Sequence, residues 1–323
     1  MAKNKNKKYV IGVDLGGTSI KVGVVSKEGK LIKKGFVDTL ADGGPKTVVS
    51  QIKKGIRLVL DGYEKEVGGI GIGAPGVVSM EKGTVENPPN LPGWKKVYLS
   101  KVIEDEFKLR TVVENDANAA AVGEMIFGAG KNFTDFIMVT LGTGVGGGII
   151  IKRKLYHGMQ GAAGELGHTT IDYKGPKCNC GSYGCIETYV GNGYLVERVH
   201  KELQAGRETK INELLDNNMN RLSPKVISEA AELGDAFAKS VITETGMYLG
   251  YALASSINLL DIHNVIIGGG VAGFGAPLFQ ATREAAKERV LKSLAPKVKI
   301  VPAKLKNEAG IKGASSLVFY SEK

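Results

Sequence analysis

The chain has 323 residues, 43% of them hydrophobic, which is enough for more than one core and makes two domains the natural expectation. No apolar run is long enough to cross a bilayer, and the basic start at 1–8 has no apolar stretch or cleavage site behind it, so neither a membrane nor a secretory leader is expected and the cytoplasm is the expected compartment. Lysine and arginine exceed the acids by 43 to 33, but Lys3, Lys5, Lys7 and Lys8 supply part of that excess and the rest is dispersed, which argues against a nucleic-acid surface.

Tyr9-Val10-Ile11-Gly12-Val13-Asp14 is rich in β-formers, Leu15-Gly16-Gly17-Thr18 reads as a turn, and 19–25 is a second apolar run. Glu28-Gly29 turns into 30–37, so an antiparallel meander is predicted. An amphipathic helix is predicted over 45–60 and a buried strand over 69–74. Val112-Val113-Glu114-Asn115-Asp116-Ala117-Asn118-Ala119-Ala120-Ala121 reads as the end of a strand running into a close-packed helix. Asp116 therefore falls at a strand-to-helix junction. There it is either a carboxylate pointing into a site or simply the helix cap, since Asn and Asp both accept from free helix N–H groups.

Phe136-Ile137-Met138-Val139-Thr140 leads into Leu141-Gly142-Thr143-Gly144-Val145-Gly146-Gly147-Gly148 and then three isoleucines. Val13 and Val139, Leu15 and Leu141, and Gly16 and Gly142 coincide at an offset of 126 residues, which points to a duplicated architecture. Glycine turns can hold phosphate, because no Cβ keeps anionic oxygens from the backbone N–H groups; the alternative is that they only close tight hairpins. Residues 142–147 match G-x-G-x-x-G, but a strand follows where the dinucleotide fingerprint requires a helix, so that reading is rejected. Gly268-Gly269-Gly270 ends the run 265–267 and precedes a helical segment from about Ala276, an arrangement suited to a nucleotide.

Every cysteine of the chain lies in Cys178-Asn179-Cys180-Gly181-Ser182-Tyr183-Gly184-Cys185-Ile186-Glu187, ten residues after Gly164-Glu165-Leu166-Gly167-His168. Three thiolates and an imidazole form a four-ligand set suited to zinc; with no position left for water, the site would be structural. A Cys178–Cys185 disulfide would leave one cysteine over and need an oxidising compartment, and three unrelated buried thiols is the remaining alternative. Glu165 and Glu187 are tied to the same knot.

These motifs, Asp14-Leu15-Gly16-Gly17-Thr18, Glu114-Asn115-Asp116, Leu141-Gly142-Thr143-Gly144, Gly164 to His168, Cys178 to Glu187 and Gly268-Gly269-Gly270, stand in the order seen in the ROK family of repressors, open reading frames and kinases. The chain resembles that family from about Tyr9 to Tyr320, and most of all its bacterial glucokinase branch. The resemblance implies an actin-like, hexokinase-like ATPase fold of the α/β class, with two α/β domains around a central cleft. The expected boundaries are 1–118 for a smaller domain, with a C-terminal helix at 308–323 packing back on it, and 119–307 for a larger one with the zinc loop.

Residue by residue, the resemblance makes Asp116 the general base for a sugar hydroxyl attacking the γ-phosphorus of ATP. Asn115, Glu165, His168 and Glu187 would hydrogen-bond the other hydroxyls, with His168 sharing its two ring nitrogens between zinc and sugar. Gly16, Gly17, Thr18, Gly142, Thr143 and Gly144 would hold the ATP phosphates, Asp14 would lie near Mg²⁺, and Gly269 near the adenosine. His168, Cys178, Cys180 and Cys185 would hold zinc. The implied reaction is phosphorylation of the 6-hydroxyl of glucose by a homo-oligomer, dimer or tetramer. Alternatives are a ROK kinase for N-acetylmannosamine, N-acetylglucosamine, fructose or allose, or a sugar-sensing regulator. A repressor would carry an N-terminal DNA-reading domain, for which the eight residues before the first strand leave no room.

Other residues read as structural. Asn87 and Asn90 fall in a turn that borders the sugar in relatives, and Trp94 reads as packing. His157, His200 and His263 have no partner in sequence and read as surface or loop residues, and Lys21 reads as exposed. The charged stretch 194–215 reads as an amphipathic surface element, near a subunit contact.

Overall fold

The computed structural model describes residues 7–321, so Lys3 and Lys5 of the basic start and the last two positions of the expected C-terminal helix lie outside the described residues. The chain divides into two compact units, Met1–Thr134 with Gly148–Gly164 and Lys304–Lys323, and Asp135–Gly147 with Glu165–Ala303.

The first unit opens with the predicted meander, β1 (Tyr9–Leu15), β2 (Ser19–Ser26) and β3 (Leu31–Asp38), in which Asp14 lies opposite Lys21 and Leu15 opposite Ile20. Helix α1 (Gly44–Leu60) has Pro45 in its first turn, where no N–H is needed, and buries Val48, Ile52, Ile56 and Val59 along one stripe. Strand β4 (Val67–Ala74) runs parallel to β1. A small sheet of β5 (Val77–Ser79), β6 (Thr84–Glu86) and β7 (Lys96–Val97) comes next, followed by α2 (Leu99–Phe107). Strand β8 (Thr111–Asn115) pairs parallel with β4 and runs straight into α3 (Asp116–Phe127), which is apolar nearly all round and buried. The sheet order is β3-β2-β1-β4-β8.

The second sheet starts from another hairpin, β9 (Phe136–Leu141) and β10 (Val145–Ile151), with β11 (Lys154–Leu155) antiparallel to β10. Helices α4 (Glu187–Val190), α5 (Asn192–Gln204), α6 (Lys210–Leu215), α7 (Pro224–Glu232) and the long α8 (Ala236–Leu260) intervene. Strand β12 (Asn264–Gly268), helix α9 (Ala276–Arg289) and strand β13 (Lys299–Pro302) complete the sheet in the order β11-β10-β9-β12-β13, with β9, β12 and β13 parallel. Both sheets therefore carry the same pattern: an antiparallel meander whose first strand leads into two parallel strands. The glycine turns recognised as equivalent in the sequence occupy the same place in each.

The chain returns to the first unit in α10 (Ala309–Tyr320), which packs on β1, β4 and α3. Gly12 faces the Ile311 carbonyl and Gly71 the Ala314 carbonyl; a Cβ at either position would strike the helix backbone, so glycine lets α10 lie directly on the sheet. Among the described residues no helix is long and apolar enough to cross a membrane.

Candidate functional site

Three parallel strands of the first unit end in step, with Asp14 on β1 level with Gly73 on β4 and Gly73 level with Glu114 on β8. Neighbouring strands are about 4.8 Å apart, so Asp14 and the β8–α3 junction are about 10 Å apart along one edge. Open α/β sheets bind ligands at this carboxyl edge of their parallel strands.

The first glycine turn is held from outside. Buried Thr39 donates its hydroxyl to the Gly16 carbonyl at 2.7 Å and its N–H to the Thr18 carbonyl at 2.9 Å. A Cβ on Gly17 would stand 3.0 Å from the Asn90 side chain, so the 87–94 loop packs against this turn. Trp94, in the same loop, is buried and donates to the Val85 carbonyl at 3.1 Å, a packing role as expected. Asp14 lies beside the first turn of α10, where Gly310 leaves room for its carboxylate. Burial raises the Asp14 pKa and Lys21, 3.8 Å away, opposes the shift, so the carboxylate is short of counter-charge and suited to a cation.

At the junction the cap is Asn115. Its Oδ1 accepts from the N–H groups of Ala117 at 2.9 Å and Asn118 at 3.2 Å, while its amide donates to the Gly76 carbonyl at 3.2 Å. Asp116 is the first helical residue, with Oδ1 2.8 Å from the Ala117 N–H. The capping role open to Asp116 in the sequence thus falls to its neighbour.

His157 lies in the loop after β11, as read from the sequence, but it has a partner there. Its Nε2 lies 2.7 Å from Oε2 of Glu114, which is fully buried. The other oxygen of Glu114 accepts from the Asn115 N–H at 2.8 Å and from the Asn118 amide at 3.1 Å. The hydrogen bond to Glu114 raises the His157 pKa, against a smaller opposing effect of burial. A pairing across 43 residues leaves no mark in a linear pattern.

In the second unit, the turn Gly142-Thr143-Gly144 is tied to the cysteine loop. Glu187, at the start of α4, accepts from the Val145 N–H at 2.9 Å through Oε2, and Gly144 gives its carboxylate room. The beginning of α5 rests on the same turn, with the Asn192 N–H donating to the Gly142 carbonyl at 3.0 Å. Gly269, with φ +93°, carries β12 out over the backbone of Leu141, so it and Gly142 follow adjacent parallel strands. Glu165 is exposed and precedes the short turn that ends in His168, whose N–H donates to the Glu165 carbonyl at 3.1 Å.

Single ligand atoms of His168, Cys178, Cys180 and Cys185 all lie within 4.8 Å of one another, and the three cysteines are free thiols. Cys178 Sγ is 3.8 Å from His168 Nδ1, and Cys180 Sγ is 3.7 Å from Cys185 Sγ. A tetrahedron with zinc–sulfur bonds of about 2.3 Å has edges of about 3.8 Å, so the donor set fits such an ion. Burial and the neighbouring thiols push the Cys185 pKa up to about 12, burial raises that of Cys178, and the Ser182 N–H lowers that of Cys180. Without a cation the cluster therefore favours protonated thiols at Cys178 and Cys185, and a metal ion would stabilise the thiolate form. Tyr194, which no sequence motif singles out, accepts from the Asn179 N–H at 3.0 Å and anchors the loop to α5.

The model of the ROK family matches residues 10–320. The chain is 36% identical over 309 residues to the glucokinase of Thermotoga maritima, covering 96% of each. It is 33% identical to the xylose repressor of Caldicellulosiruptor bescii over 98% of this chain and 79% of the repressor. Among solved structures, a ROK family glucokinase from Streptomyces griseus in complex with glucose and AMPPNP matches with a TM-score of 0.85 and 37% identity, covering 96% of this chain and 98% of that one. The mixed sheets, duplicated strand order and these matches give the architecture as the actin-like ATPase fold of ROK sugar kinases. With the match running through both sheets and the cysteine loop, the chain belongs to the ROK family.

Proposed function

We propose that this chain is an ATP-dependent hexokinase that phosphorylates the 6-hydroxyl of glucose, with Asp116 as general base. The observation that carries the reading is the geometry of the β8–α3 junction: Asn115 caps the helix through two N–H groups, and the Asp116 carboxylate, which shares the Ala117 N–H, follows the carboxyl end of a parallel strand. A carboxylate placed there can accept the hydroxyl proton as the oxygen attacks the γ-phosphorus. The likeness to glucokinases, one of them in complex with glucose and AMPPNP, supports glucose and ATP as substrates.

In this reading Asn115, Glu165, His168 and Glu187 bind the remaining hydroxyls, since carboxylates and amides fork across adjacent hydroxyl groups. The turns at 16–18 and 142–144 hold ATP phosphates through backbone N–H groups, and Gly269 lies at the adenosine. Asp14, short of counter-charge, would hold Mg²⁺, which would neutralise charge on the transferring phosphoryl group. His168, Cys178, Cys180 and Cys185 would hold a structural zinc that fixes the loop carrying Glu187 and leaves the second ring nitrogen of His168 for the sugar. Assembly as a homo-oligomer, dimer or tetramer, and a cytoplasmic location belong to the same reading.

The test is a coupled assay with ATP and Mg²⁺ over glucose, fructose, allose, N-acetylglucosamine and N-acetylmannosamine, with the product identified by NMR. The highest kcat/KM is expected for glucose, with the phosphate on the 6-oxygen. A higher value for another hexose would reassign the substrate. Sugar binding without turnover on any of them would favour the regulatory role suggested by the repressor likeness.

A further inference from the structure

The proposed reaction uses Asp14, Asn115 and Asp116 but gives no role to Glu114, the fully buried carboxylate immediately before the pair. An ionised carboxylate out of water is costly unless it is hydrogen-bonded and balanced by charge. Two of its partners are neutral groups of the junction itself: the Asn115 N–H at 2.8 Å and the Asn118 amide at 3.1 Å. These bonds grip the last peptide of β8 and the first turn of α3, on either side of Asp116. The third partner, His157 Nε2 at 2.7 Å, comes from the loop after β11 and is the only cationic group hydrogen-bonded to Glu114 among the described residues.

The two partners differ in access to water. Glu114 has none, whereas the His157 side chain is 30% exposed. It lines an open cavity of about 940 Å³ together with Glu81, Lys82, Glu86, Glu104 and Arg110. Of these, Glu86 is paired with Lys96 at 2.7 Å, Glu104 accepts from the Thr111 N–H at 2.8 Å, and Arg110 donates to the Ser321 carbonyl at 3.1 Å. Glu81 and Lys82 are adjacent and opposite in sign, and on α3 the charged group at the junction is Asp116. The field reaching the imidazole from the cavity is therefore mixed, and the carboxylate at 2.7 Å dominates. Within the pair the imidazole reaches water and the carboxylate does not.

We propose that His157 is a positioning residue for the phosphoryl transfer: its imidazolium, hydrogen-bonded to buried Glu114, holds the β8–α3 junction so that Asp116 stands where base catalysis needs it. The inference rests on the functional reading above. Because the hydrogen bond to Glu114 raises the proton affinity of His157, the imidazolium persists beyond the ordinary histidine range and is lost as the pH rises further. Loss of the proton leaves Glu114 buried without counter-charge, and the junction relaxes by admitting water or releasing the Asn115 N–H. A displacement of about 1 Å at a reacting group costs on the order of a hundredfold in rate.

The test compares the pH dependence of kcat for glucose in the full-length protein, His157→Gln and His157→Ala. Glutamine keeps a donor toward Glu114 but does not titrate; alanine removes both the donor and the charge. The wild type is expected to lose kcat on the alkaline side, at a pH matching the titration of the His157 imidazole followed by NMR. In His157→Gln that limb should move by about one pH unit or more or disappear, with kcat at neutral pH down roughly threefold to tenfold and glucose KM within about twofold. His157→Ala should lose roughly thirtyfold or more in kcat. A histidine that only supports the fold would lower Tm in both variants and leave the limb in place, which overturns the inference. If His157→Ala does not fold, the glutamine profile and the NMR titration decide alone. Wild-type protein that phosphorylates no hexose removes the functional reading and this inference together; active wild type with a coincident His157→Gln limb removes the inference only.

Discussion

The two glycine turns follow equivalent strands in two sheets of the same order, yet they are secured by different chemistry. At 16–18 the turn is closed by a buried threonine, and the junction nearby is closed by a helix cap and a buried carboxylate. At 142–144 the turn is tied to Glu187, and Glu187 belongs to a loop organised around three thiols and an imidazole. A duplicated scaffold has thus produced one turn closed by a buried threonine and another tied both to the start of α5 and to a loop whose donor set could hold a cation. The two should fail for different reasons, and each of the following changes breaks one of them.

Outside the β8–α3 junction, the largest effect is expected from Asp14→Asn. Loss of the carboxylate proposed for Mg²⁺ should reduce turnover on the order of 10²–10³-fold. The same change should raise Tm. Burial lifts the Asp14 pKa in the folded state, so the ionised group costs stability above that raised value and costs nothing below its ordinary pKa; a neutral amide removes the cost at neutral pH. A lower Tm with activity intact would mean that Asp14 is a structural ion-pair partner of Lys21. Steady-state kinetics and calorimetry on one preparation separate the two outcomes.

Next in size is the cysteine loop. Purified protein should carry about one zinc per chain, and Cys180→Ser should weaken glucose binding roughly ten- to a hundredfold. ATP affinity should fall by a smaller factor, because the 142–144 turn is also held by the start of α5, through the Asn192 N–H on the Gly142 carbonyl. Elemental analysis and titration calorimetry check both. A metal-free protein with full sugar affinity would return the cysteines to the status of ordinary thiols.

The cap provides a smaller signal, read in stability. Asn115→Ala should cost about 1 kcal/mol of stability, read as a drop of a few degrees in Tm, whereas Asn115→Asp should restore most of it. If alanine is tolerated without loss, Asn115 is not what caps α3.

What the sequence made legible follows the range of the interactions. Both hairpins could be read because alternating β-branched residues end at glycines, and α1 because Val48, Ile52, Ile56 and Val59 recur at helical spacing. The thiol cluster could be read because its ligands are close in sequence as well as in space. The Asn115-Asp116 pair offered two candidate side chains for one cap; the extended backbone of Asn115, with φ −58° and ψ 145°, decides between them only in three dimensions. His157 with Glu114, and Thr39 with Gly16, are pairings made by the tertiary fold across 43 and 23 residues. Gly12 and Gly71 look like ordinary strand glycines until α10, from the far end of the chain, lies across them.

The most direct test of the account is Asp116→Asn, measured for turnover and for glucose binding on the same sample. Asparagine keeps the shape of the side chain and cannot take a proton at neutral pH. General-base catalysis contributes about 10²–10⁴ in rate, so kcat with glucose should fall at least roughly a hundredfold. Glucose affinity measured by calorimetry should change by no more than about threefold, since the hydrogen-bonding shell remains. Near-normal turnover in Asp116→Asn would contradict the account and leave the carboxylate as part of the helix start alone.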